Sequence, residues 1–210
     1  MRQILFGIAT FLCLATSAWA LDPPASGKYA EGVHYNRLAS PQPGGGEEIE
    51  VIEFFWYGCP HCADFDPFIQ SWKKSKPEGV KFTLVPAVFM PEWEVGAKAF
   101  YALQMLDALE VHSRVFDQIH KERKPHQTAE HYAEIVAGLG VDKQKFLDAL
   151  KSFVVDAKVR RARQMIRDYR IMGVPTLAVN GKYTTSASMA GGNQAMLRVL
   201  DHLVALEKAS

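Results

Sequence analysis

Glu50-Val51-Ile52-Glu53-Phe54-Phe55-Trp56-Tyr57-Gly58-Cys59-Pro60-His61-Cys62 is the stretch on which the fold turns. Its first eight residues are mostly β-branched or aromatic, the composition of a strand buried on both faces. Gly58 ends that run, and Pro60 suits the first position of a helix, where a missing N–H costs nothing. The junction places Cys59 at a helix N-terminus, where unpaired N–H groups and the helix dipole favour negative charge. That setting favours the thiolate, the reactive form of cysteine. Cys62, three residues on, shares the same helical face and can close a disulfide or attack a mixed disulfide formed at Cys59.

Further along, Phe65, Phe68, Ile69 and Trp72 recur at helical spacing over residues 61–74. A second strand is expected over residues 80–89, with Pro86 making its end irregular or placing it at an edge. Residues 91–172 read as helix almost throughout, with Ala97, Phe100, Tyr101, Leu103 and Leu106 in one stretch and Phe146, Leu147 and Leu150 in another. Strand character returns at residues 176–179, followed by Asn180-Gly181 and residues 182–184, a strong hairpin pattern. A last helix runs from Asn193, read as its N-cap, through Leu197, Leu200, Leu203 and Leu206. Residues 21–46, rich in Pro and Gly, form an irregular lead-in with a short strand near residues 33–38. Sheet elements at both ends must meet across the helical block, so the expected architecture is one α/β domain, residues 47–90 and 173–208, with residues 91–172 inserted into it.

The chain of 210 residues opens on Met1-Arg2-Gln3, an apolar run from Ile4 to Leu14 and Ala18-Trp19-Ala20. This is the layout of a secretory signal peptide cleaved after Ala20, and the run is too short for a membrane anchor. Removing residues 1–20 leaves 190 residues with 23 basic and 23 acidic side chains, a balance that gives no reason to expect nucleic acid. Of three cysteines, Cys13 goes with the signal, and only Cys59 and Cys62 stay. A four-residue loop constrains an unfolded chain weakly, so a redox role explains the pair better than a structural one. The same spacing supplies half of many zinc sites, but there is no second cysteine pair to complete four ligands, so neither a metal nor a cofactor is expected.

Glu53-Phe54-Phe55, Cys59-Pro60-His61-Cys62, Ser152-Phe153-Val154-Val155, and Gly173-Val174-Pro175 with Val179-Asn180-Gly181-Lys182-Tyr183 follow one another in the order that resembles the DsbA family of periplasmic thiol:disulfide oxidoreductases. The resemblance runs from Glu47 to Leu206 and implies a thioredoxin-like fold with an inserted helical domain. It implies that Cys59 is the nucleophile and Cys62 its buried partner, with Pro60 and His61 tuning the pair. Pro175 reads by itself as either a cis residue or a strand-entry proline, and the resemblance implies a cis Val174–Pro175 loop whose backbone receives substrate. Glu53 matches a buried acid that exchanges a proton with Cys62, against the plainer reading of a solvated strand margin. The family places a lysine opposite that acid, where this chain has Leu84. Implied too are a periplasmic location, reduced or unfolded exported proteins as substrates, reoxidation by a DsbB-like membrane oxidase, and a monomer.

Competing readings are a disulfide isomerase or reductase, and a redox-inactive binding module. Secreted isomerases carry an N-terminal dimerisation domain, for which the 26 residues between Ala20 and Glu47 leave no room. Arg160, Arg163, Arg167 and Arg170 fall at spacings that put them on one helix face, expected to be solvated rather than a docking face. His34, His112, His120, His126, His131 and His202 lack metal-ligand spacing and are expected at the surface or in caps. Phe89, Met90, Trp93 and Met172 are candidates either for core packing or for an apolar groove beside the disulfide.

Overall fold

A computed structural model describes residues 29–209, so the signal peptide expected over residues 1–20 lies outside the described residues. The elements are β1 (Asn36–Arg37), β2 (Ile49–Phe55), α1 (Pro60–Ser75), β3 (Val80–Pro86), α2 (Glu94–Met105), α3 (His112–His120), α4 (Ala129–Ala137), α5 (Lys143–Leu150), α6 (Phe153–Asp168), β4 (Thr176–Val179), β5 (Tyr183–Ser186), α7 (Ala187–Ala190) and α8 (Asn193–Lys208). The strands form one sheet in the order β1-β5-β4-β2-β3. Only β2 and β3 run parallel; β2–β4, β4–β5 and β5–β1 are antiparallel. The chain between β3 and β4 is helical, and no helix among the described residues is long and apolar enough to cross a membrane.

Alternation along β2 sorts its side chains between two cores. Val51 faces a cluster in which Phe65, Ile69 and Trp72 of α1 meet Met196, Leu200 and Leu203 of α8. Ile52 and Phe54 face the larger cluster, which takes in Ala97, Phe100 and Leu103 of α2, Ile135 of α4 and Val159 of α6. Glu53 lies between Val51 and Phe55 in this alternation, on the side that α1 covers, and is 3% exposed.

The Asn180-Gly181 hairpin joins β4 to β5 with both residues at positive φ, 47° and 66°. A Cβ at position 181 would lie 2.1 Å from the Gln42 carbonyl oxygen, so this turn requires glycine twice over. Several boundaries differ from the sequence expectation. The lead-in strand shortens to Asn36–Arg37 and pairs with β5 alone. The second strand stops at Pro86, on the edge strand β3, where the missing N–H costs the ladder nothing, since the Ala87 N–H still donates to the Phe55 carbonyl at 2.7 Å. Asn193 is not the N-cap of α8: a short helix α7, capped by Ser186, ends on Gly191 and Gly192 at φ 88° and 127°, and Gly192 takes the cap position. Arg170 does not continue the arginine stripe, because α6 ends at Asp168 and Arg170 turns to φ 52°.

Candidate active site

The turn after β2 delivers Cys59 to the N-cap of α1 and Pro60 to its first position. Gly58 is fixed by close approach: a Cβ there would stand 2.4 Å from the Trp56 ring and 2.8 Å from Nε2 of His126. Both cysteines are free thiols in this structure, Cys59 8% exposed and Cys62 fully buried. The carbonyl of Cys59 accepts from the N–H groups of Cys62 and Ala63, which closes the first turn. Its side chain makes no cap hydrogen bond, so the helix-end N–H groups face the sulfur instead.

The two thiols are driven in opposite directions. A hydrogen bond from Cys62, the N–H groups of Cys62 and His61, and the His61 charge bring Cys59 down to about 6, against a burial that raises it. Burial pushes Cys62 far above the ordinary thiol range, and the bond to Cys59, the charge of Cys59 and the charge of Glu53 push the same way. At neutral pH the pair therefore holds one thiolate, on Cys59, and one proton, on Cys62.

Glu53 sits beneath this turn. Its strand neighbours in register are Leu84 on β3 and Leu177 on β4, and its carboxyl has no hydrogen bond or ion pair among the described residues. Burial, then the charge of Asp66, raise it to about 8, while Lys73 acts the other way. The carboxyl is thus a neutral acid at pH 7, a proton source near the more basic of the two sulfurs.

The Val174–Pro175 bond is cis, and the Cys59 thiol points at the Val174 carbonyl oxygen, 3.6 Å away. Beside it opens a cleft of about 550 Å³ whose walls include His61, Arg170, Met172, Val174, Pro175 and Met189. Met172 is 92% exposed there. Phe89, Met90 and Trp93 do not line this cleft; Trp93 stacks on Trp56 at 3.9 Å, and the Phe89 ring packs tilted against Trp93 at 5.1 Å. Among the described residues no group of His, Cys, Asp and Glu is placed to hold a metal ion.

The histidines divide. His34 and His131 accept backbone N–H groups at 3.0 and 3.2 Å, as caps do. His112 departs from the surface expectation: it is 4% exposed, ringed by Phe55, Phe100 and Phe116, and hydrogen-bonded through Nδ1 to the Tyr57 hydroxyl at 2.9 Å. Its Nε2 lies 3.9 Å from Oδ1 of Asp66, itself 7% exposed. Sequence reasoning missed this pair; Asp66 stands one turn after Cys62, which was a visible cue, but nothing local marks His112 as its neighbour. Of the arginine stripe, Arg163 is held by Glu94, Arg167 bonds Gln164, and Arg160 lies over the Phe153 ring at 5.3 Å.

Residues 94–204 match the family of DSBA-like thioredoxin domains. The chain is 41% identical to a thiol:disulfide interchange protein DsbA of Pseudomonas aeruginosa over 87% of each chain, and 38% identical to that of Azotobacter vinelandii over the full length of both. Among solved structures, the crystal structure of P. aeruginosa DsbA superposes with a TM-score of 0.82 at 41% identity, covering 86% of this chain and 95% of the other. DsbA from Xylella fastidiosa gives 0.80 at 34% identity, covering 87% and 99%. The fold is thioredoxin-like, and the chain belongs to the DsbA family of thiol:disulfide interchange proteins.

Proposed function

We propose that this thiol:disulfide oxidoreductase donates a Cys59–Cys62 disulfide to reduced or unfolded exported proteins in the periplasm, as a monomer, and is reoxidised by a DsbB-like membrane oxidase. Residues 47–90 and 173–208 form its thioredoxin-like domain, and residues 91–172 the helical insertion. The observation that carries the reading is the opposite treatment of two thiols one helical turn apart.

In the reaction, a substrate thiolate attacks Cys59 of the disulfide. The Cys59–Cys62 bond breaks, a substrate–Cys59 bond forms, and Cys62 leaves with the electron pair and takes a proton from Glu53. A second substrate thiolate then attacks the substrate sulfur, and Cys59 leaves as a thiolate. The substrate gains a disulfide; the protein gains two electrons, and one proton once Glu53 has been reprotonated. Cys59 is a good leaving group because its thiolate is stabilised. Pro60 starts the helix, and His61 adds charge beside the sulfur. Val174 and Pro175 line the cleft, where an extended substrate chain can pair with the Val174 backbone.

The test is turnover of a reduced, unfolded protein by the oxidised form. Cys59→Ser is expected to abolish it. Cys62→Ser is expected to attack substrate disulfides but to stall as a mixed disulfide through Cys59, since the resolving thiol is gone. Mixed disulfides accumulating only with Cys59→Ser would reverse the two roles.

A further inference from the structure

The chain reaches Cys59 through a tight turn, closed by the Cys59 N–H donating to the Trp56 carbonyl at 3.0 Å. The central peptide of that turn joins Tyr57 to Gly58, and the glycine leaves it two settings. A half-rotation of the peptide sends the Tyr57 carbonyl to the opposite side of the turn and takes Gly58 to positive φ. Gly58 does not stand at positive φ in this structure, so the turn holds the first setting. Nothing within residues 56–59 makes that choice, because a glycine tolerates either form.

The residues that make it come from the helical insertion. Helix α3 meets Tyr57 with both of its ends. His112, its first residue, bonds the Tyr57 hydroxyl at 2.9 Å, and His120, its last, places Nε2 2.7 Å from the Tyr57 carbonyl oxygen. A carbonyl oxygen only accepts, so His120 carries a proton on Nε2 and donates it. Past α3, His126 closes on Gly58 through Nε2 and meets the Trp56 ring edge-on at 6.2 Å. Rotating the central peptide would turn the Tyr57 carbonyl away from His120 and forfeit its hydrogen bond.

We propose that His120 is a positioning residue for Cys59: by donating to the Tyr57 carbonyl it holds the turn in the form that seats the sulfur at the start of α1. Cys59 is both the last residue of the turn and the N-cap of the helix, so a change at the central peptide swings it relative to α1. The N–H groups of His61 and Cys62, which stabilise its thiolate, belong to the helix and do not follow. One hydrogen bond to a part-buried carbonyl biases such a choice by about five-fold. The inference rests on the proposed role of Cys59 as the attacked sulfur, and its test reads the Cys59 thiol without any substrate.

The experiment follows the Cys59 midpoint by thiolate absorbance in the reduced protein, together with the redox equilibrium against glutathione at pH 7. His120→Leu removes the donor. It is expected to raise the midpoint by about half a pH unit and to move the equilibrium about two- to three-fold toward the disulfide, as the reduced form loses thiolate stabilisation. His120→Gln offers an amide N–H in place of the ring N–H and should restore both values. Long-range ¹H–¹⁵N spectra of the native reduced protein at pH 8 should show the His120 proton on Nε2. A His120→Leu protein that melts normally with both values unmoved overturns the proposal. Equal shifts in His120→Leu and His120→Gln would do the same, since the donor would then not be the cause, as would a native His120 protonated on Nδ1 alone. Unimpaired turnover by Cys59→Ser would instead sink the role of Cys59 beneath it, whatever the midpoint does.

Discussion

Helices α1 and α6 each run 16 residues and start from the same extended backbone, Cys59 at φ −87°, ψ 115° and Ser152 at φ −72°, ψ 143°. At α6 the Ser152 hydroxyl accepts from the Val155 N–H at 3.2 Å, an ordinary cap. Thr128, Asp142 and Ser186 do the same for α4, α5 and α7. At α1 a sulfur occupies the cap position and makes no such bond. A helix N-terminus can therefore commit its N–H groups to structure, or hold them for a charge that comes and goes with the redox cycle. Cys59 takes the second course.

The strongest consequence of this contrast is in reactivity. At pH 7 a thiol with a value of about 6 is nine-tenths ionised, whereas an ordinary cysteine is ionised to about three parts in a hundred. Limiting alkylation of the reduced protein should therefore mark Cys59 first: its thiolate fraction exceeds that of a free cysteine by about thirty-fold, an advantage trimmed by the lower nucleophilicity of a low-pKa thiolate, with Cys62 left unlabelled until the fold opens. Mass spectrometry of the singly labelled species reads this directly. Equal labelling of the two thiols would mean that α1 begins no differently from α6.

A weaker consequence concerns which redox form is more stable. Closing a four-residue loop stabilises the oxidised form by about 1.9 kcal/mol in the chain-entropy treatment. Against it stands the Cys59 thiolate, held in the fold and free in the unfolded chain, where its pKa is about 8.5. A depressed pKa contributes stability that is full above the unfolded value and fades as pH falls through the folded one. With a folded value of about 6, the contribution is about 1.4 kcal/mol at pH 7 and about 3 kcal/mol at pH 8.5. Water in the open cleft screens the charge and trims both figures. The oxidised form should thus melt higher at pH 6 and the reduced form at pH 8.5, with a crossing between about pH 7 and 8.5. Melts of both forms across that range check it; curves that stay parallel would show that the α1 terminus does not hold the thiolate.

How much of this was legible in the sequence depends on the distance over which each feature is fixed. The strand–turn–helix around Cys59 and the Asn180-Gly181 hairpin are encoded within a few residues each, by a buried run, a glycine, a proline and a tight turn. Glu53 stood out as an acid among the apolar residues that follow Val51, but its burial is a property of Leu84, Leu177 and the covering helix α1. His112 looked like any surface histidine because its partners, Tyr57 and Asp66, come from the turn after β2 and from α1, more than 40 residues earlier. The arginine stripe misled at Arg170 for a different reason. Tyr169 and Ile171 are both pulled into the core, and the left-handed turn at Arg170 between them breaks the helical register.

The mildest consequence is the control on the other two. Ser152→Ala removes the α6 cap and leaves the Val155 N–H without its side-chain acceptor, which costs about 1 kcal/mol. The loss should appear as a lower urea midpoint with an unchanged slope, because no surface beyond the cap is newly exposed. Its decisive property is what it does not depend on. A serine hydroxyl does not titrate in the working range, so the cost should be the same at pH 6 and pH 8.5, and the same in the oxidised and reduced forms. The α1 terminus should show both dependences and the α6 terminus neither. If Ser152→Ala moved the crossing pH of the two redox forms, the helical block and the disulfide would be energetically coupled, and the two N-termini could no longer be treated as independent.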